Sequence, residues 1–166
     1  HQVRRIAFAV ATIGAFSEFK VQVDWKRFWL HNVLVARLAD KVASTFRQTN
    51  GMEYLAGLMH DVGKLFVETY FPAEFEQVLA GSVEKQCNHA TMERAILGLD
   101  HTQIGAALCE GMQVHNHVSR AVWFHHDPLN ISHATDPRGD GGFLAVCVGI
   151  GDRLANSNPS SREDFV

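Results

Sequence analysis

Apolar residues recur at helical spacing through nearly the whole chain, and no stretch alternates apolar with polar as a half-buried strand would. Val3 to Phe19 is largely apolar, which predicts a helix buried in the core. Asp24 is placed to cap a long amphipathic helix running to about Phe46, with Phe28, His31, Val35, Leu38 and Val42 along one face. Asn50-Gly51 breaks that pattern. Met52 to about Tyr70 reads as one helix carrying His60-Asp61, disturbed near Gly63. Pro72 starts a polar helix over Ala73 to Lys85, and another follows from Asn88 to Leu99. Asp100 can cap the next, which places His101 in its first turn and carries Ile104, Ala107 and Leu108. Val118 to His126 is a helix stopped by Asp127-Pro128. Ser132 to Gly142 is a loop by composition, and Phe143 to Ala155 is the last helix, carrying Asp152. The expected fold is all-α, a single-domain helical bundle.

Composition changes this picture little. The chain of 166 residues suits one domain able to bury a substantial core. A net charge of −3, with no run of Lys or Arg, argues against binding of a nucleic-acid polymer. Cys87, Cys109 and Cys147 are odd in number and lack zinc-knuckle spacing, so they read as free thiols in a reducing, cytoplasmic compartment. Arg4-Arg5 before Ile6 to Phe16 has the outline of a signal peptide, but no small-residue cleavage site follows and the run is too short to span a membrane. The chain opens on His1 rather than Met, which suggests a piece of something longer.

The chemistry lies in seven side chains placed on these helices: His31, His60, Asp61, His101, His125, His126 and Asp152. Each has a plain explanation alone. His31 could be a core histidine satisfied by a backbone carbonyl, and His125-His126 could complement a helix C-terminus. His60-Asp61 is harder to dismiss, because an acid and an imidazole within Leu58 to Leu65 would be costly to bury unpaired. Asp152 is likewise a carboxylate on an otherwise apolar helix. Converging on one cleft between helices, the seven would bind one or two divalent ions. Five imidazoles favour Fe, Mn, Zn, Ni or Co over Mg, which prefers oxygen. Lys64, one turn beyond His60, is placed to meet a substrate phosphate. His1, His89, His115, His117 and His133 lie in polar surroundings and read as solvated. Trp25, Trp29 and Trp123 read as core or core-edge packing.

Leu58-Met59-His60-Asp61-Val62-Gly63-Lys64 resembles the HD-x-G-K signature of the HD superfamily of metal-dependent phosphohydrolases. The wider pattern is similar to its HDOD branch (HD-related output domain), a module common in bacterial signalling proteins. Trp29 to Asn32, Tyr54 to Asp61, Asp100 to Gly105, Ala121 to Pro128 and Gly151 to Asn156 carry the resemblance, which spans nearly the whole chain. It implies that residues 1–23 end an upstream helical segment and that 24–166 form the metal-site domain. It implies that His31, His60, Asp61 and Asp152 hold one ion, and that His101, His125 and His126, sharing Asp61, hold a second. Asp61 and Lys64 then become the candidate catalytic residues, acting on a phosphomonoester, phosphodiester or nucleotide.

Two departures pull in opposite directions. The HDOD branch often loses metal ligands and is widely treated as non-catalytic, whereas this chain keeps the whole series. Cyclic-di-GMP phosphodiesterase relatives carry Gly-Tyr-Pro after the paired histidines, whereas Asp127-Pro128-Leu129-Asn130 stands here, so that substrate is not implied. The alternative is a regulatory module with a structural or vestigial metal site that binds a signalling partner protein.

Overall fold

The computed structural model describes residues 2–19, 21, 24–131 and 139–157. Helices are the only extended elements among them. They are α1 (Gln2–Ala15), α2 (Trp25–Ser44), α3 (Met52–Met59), α4 (Val62–Tyr70) and α5 (Pro72–Lys85). Then come α6 (His89–Leu97), α7 (His101–Gly111), α8 (Asn116–Phe124), a single 3-10 turn over Pro128–Asn130, and α9 (Asp140–Ser157).

Local sequence explains most of the boundaries. The Asp24 carboxylate accepts from Arg27 N–H at 3.0 Å and starts α2. Asn88 does the same for α6 through Thr91 N–H at 2.9 Å, and Gly98, at φ 79°, ends that helix. Asp100 and Gln103 form a capping box on α7.

α2 and α9 pack along each other at the centre, flanked by α3 and α8, with α7 against α8 and α4 against α7. The core they enclose includes Phe28, Val35, Leu58, Met59, Val122, Leu144 and Val148, all buried.

Five expectations change. The helix expected from Met52 to Tyr70 is two helices, with the chain turning at His60 and Asp61. The turn is possible because Asp61 leaves helical geometry, at φ −109° and ψ 6°. The first helix ends at Ala15 and is not a core helix: Val3, Ile6 and Val10 are 81%, 64% and 67% exposed, and Thr12 is its only buried residue. It packs against α3 alone among its larger contacts, so only one stripe of an apolar helix is covered. The last helix starts at Asp140, inside the segment expected as a loop, while 132–138 lie outside the described residues. α8 begins at Asn116, two residues earlier than its apolar pattern suggests, capped by His115 Nδ1 accepting from His117 N–H at 3.2 Å. Trp29 is buried, but Trp123 is 44% exposed and lies beyond the core edge.

Candidate metal centre

The break between α3 and α4 builds the centre. His60 follows the last residue of α3, where the final carbonyls lack helical partners, and its Nδ1 lies 2.8 Å from Gly57 O. His125 repeats the device at the end of α8, with Nδ1 2.8 Å from Val122 O. In both rings Nδ1–H donates to the carbonyl, which leaves Nε2 to face the cleft.

Close helix packing then brings the donors together. A Cβ on Gly63 would lie 2.0 Å from His101 O, and one on Gly149 would lie 2.5 Å from His125 O. Only glycine lets α4 abut the start of α7, and α9 the end of α8, closely enough to place these side chains round one point.

The seven expected residues do converge. One ligand atom each from His31, His60 and Asp61 lies within 4.8 Å of the others, and the same holds for His101, His125 and His126. Asp152 Oδ1 joins the first group, 3.3 Å from His31 Nε2 and 3.7 Å from His60 Nε2. Asp61 lies between the groups, with Oδ2 3.3 Å from His60 Nε2 and Oδ1 3.4 Å from His101 Nε2 and 3.9 Å from His125 Nε2. His101 Nε2 and His126 Nε2 face each other at 3.1 Å. His31, His60, Asp61, His101 and His125 are buried, while Asp152 is half-buried and His126 exposed, so the cleft opens on their side.

A divalent ion fits this donor set. Ligands about 2.1 Å from one ion stand roughly 3–4 Å apart, which is the spacing observed. His60 Nε2, His125 Nε2 and Asp61 Oδ1 are buried without a hydrogen bond, an arrangement that is costly unless a cation meets them. The electrostatics agree. Burial opposes charge on His60, yet Asp61 and Asp152 override it and push its pKa up to about 10. A proton there supplies the positive charge the two carboxylates demand. Burial, with His126 and His60 nearby, holds His125 well below its ordinary value, so it is neutral and ready to ligate. Burial works against ionisation of Asp61 too, but His60 and Lys64 keep it ionised.

Four residues differ from the sequence reading. Lys64, expected to meet a substrate phosphate, donates to Asp61 Oδ2 at 2.6 Å, because three residues on from Asp61 is one helical turn. His89, expected in water, is half-buried on α6, where burial and the neighbouring Lys64 lower its pKa. Glu93, unnoticed in the sequence, is wholly buried with Oε2 2.6 Å from His101 Nδ1. Its only sequence signal is its place on the buried side of α6 beside Ala90 and Met92. His115 is exposed as expected, His117 is half-buried, and His1 and His133 lie outside the described residues. Cys109 and Cys147 are buried free thiols, and burial raises their pKa values to about 12 and about 11. No helix among the described residues is long and apolar enough to cross a membrane.

An all-α bundle with paired histidine and aspartate groups round a helix break is the architecture of HD-type domains. The HDOD domain family model matches residues 1–128, and the chain belongs to that family. Asp152 falls beyond the matched segment. No curated protein matches the chain. Among solved structures it is similar to an HDOD domain protein with unknown function from Geobacter sulfurreducens, at TM-score 0.82 and 24% identity, covering 95% of this chain and 51% of that one. It is also similar to a protein from Shewanella amazonensis SB2B named "putative phosphohydrolase", at TM-score 0.77 and 23% identity, covering 99% of this chain and 59% of that one. A third, from Marinobacter aquaeolei VT8, is named "putative signal transduction protein", with TM-score 0.68, 24% identity and coverage of 81% and 29%. These likenesses establish the fold, and the chain spans between about a third and three fifths of each neighbour's length.

Proposed function

We propose that this HDOD domain binds two divalent transition ions, bridged by Asp61, and hydrolyses a phosphoester in a bacterial signalling protein. The placing of Asp61 between both histidine groups, Oδ2 toward His60 and the buried, unpartnered Oδ1 toward His101 and His125, carries the reading. Bound ions would supply a nucleophilic water and charge neutralisation at the phosphate. The chain's own residues orient and balance that chemistry. The ends of α3 and α8 aim His60 and His125, and Asp61 joins the two sites. Lys64 and the exposed edge of His126 lie on the side from which a phosphate enters.

The ligand count bears on the metal. Seven residues, with Asp61 used twice, give four protein ligands per ion. Mn or Fe, at five or six ligands, keep positions for water, whereas tetrahedral Zn keeps none. Purified protein is expected to carry transition ions, to lose most of them in Asp61→Ala, and to hydrolyse nucleotides, cyclic dinucleotides or an aryl phosphodiester best with Mn or Fe. Failure to take up Mn, Fe or Zn on titration would sink the proposal.

One observation favours a second reading. The Lys64 ammonium already neutralises the Asp61 oxygen facing His60. If it stays there, the centre is structural and the domain acts by binding a signalling partner protein. Metal-loaded protein that turns over none of those substrates, while Asp152→Ala disrupts partner binding, would decide for the module.

A further inference from the structure

His60 and His125 end their helices, so the last turn of each helix supplies a carbonyl to hold Nδ1. His101 begins α7, and no preceding turn of its own helix can do this. Another helix provides the partner instead. Glu93 of α6 directs one oxygen, Oε2, at both the backbone N–H of His101, at 2.7 Å, and its Nδ1, at 2.6 Å. A single atom thus clamps the ring and the main chain of one residue. Arg94, next on α6, pairs with Asp100, so the same helix grips the first turn of α7 twice.

We propose that Glu93 is a positioning residue for the second ion, holding His101 with its proton on Nδ1 and its Nε2 lone pair aimed at the site shared with His125 and His126. This rests on the metal-binding reading above. A carboxylate partner makes an imidazole a stronger donor than a carbonyl partner does. The two ion sites are therefore unequal in kind. His60 of the first site leans on the neutral Gly57 carbonyl, whereas His101 of the second leans on a charge brought in by α6.

Glu93→Gln separates charge from shape, because the amide oxygen can still accept from both His101 donors. Metal-stripped wild-type chain and this variant are titrated with Co(II), following the visible absorption of each site and the melting temperature. Wild type is expected to take two ions. The variant should bind the first with unchanged affinity and the second about 10–100-fold more weakly. Equal weakening of both sites, or no weakening, overturns the assignment while leaving the metal centre standing. Wild-type protein that takes no Co(II) overturns both. Imidazole nitrogen NMR of the ion-free wild type decides without any variant: a proton on His101 Nδ1 is expected, and one fixed on Nε2 would refute the clamp.

Discussion

Lys64 shows how one side chain can serve two states. Its ammonium stands 2.6 Å from Asp61 Oδ2, where it offsets a buried carboxylate that would otherwise face the cleft unneutralised. An ion bridging Asp61 would compete with it for that oxygen and release the ammonium toward an entering phosphate. Lys64→Ala should therefore retain wild-type metal content or bind ions somewhat more tightly. It should also lose about 10–100-fold in kcat/KM on any phosphoester turned over, from a lost charge-assisted contact of about 1.5–3 kcal/mol. Metal analysis and steady-state kinetics on one preparation test this, and loss of metal would mean that Lys64 supports the site rather than the substrate. His60, Asp61 and Lys64 were legible as a group from their short motif. Glu93 was not, because an acid on an amphipathic helix resembles any solvated acid until packing shows it wholly buried.

At the scale of elements, the join between α4 and α7 decides whether the centre exists. Gly63 sits against the backbone oxygen of His101, and a backbone atom cannot swing away as a flexible side chain could. Gly63→Ala should push α4 off α7, at a cost of about 1–3 kcal/mol by the usual scale of overpacking. Asp61 and His101, now 3.4 Å apart, would separate, so uptake of the second ion should fall further than folding stability. Urea midpoints beside Co(II) titration measure the two losses separately. Wild-type behaviour in both would show that the helices have room the structure denies them. Periodicity located the helices here and marked a disturbance near Gly63, but read one helix where the structure has two. Val62 to Tyr70 continues the apolar pattern of α3, and the turn at Asp61 arises from tertiary packing rather than a local breaker.

For the whole molecule, the buried centre ties stability to pH and, on the metal-binding reading, to an ion. His60 in ion-free protein has its pKa raised from its ordinary value to about 10, burial opposing the charge and Asp61 and Asp152 prevailing. A raised histidine contributes stability that is full below its unfolded pKa of about 6.5 and is lost as pH climbs toward 10. His125 runs the other way. Its lowered pKa contributes stability above about 6.5 that is lost as pH falls. Protein stripped with a chelator should therefore melt highest near pH 6.5 and lower on either side. Metal-loaded protein should lack the alkaline decline, since an ion replaces the proton on His60. Melting curves of both forms across pH 5 to 9 check this, and an unchanged alkaline slope after loading would contradict it.

The sequence by itself determined the all-α class, the caps at Asp24 and Asp100, and the seven side chains that converge, because these follow from local periodicity and from residue chemistry. Only the tertiary structure decided that α3 and α4 part at His60, that α1 exposes its apolar side, that Glu93 touches the centre and that Lys64 pairs with Asp61. Each of these depends on which surfaces meet between distant segments, and neither residue spacing nor composition encodes that distance.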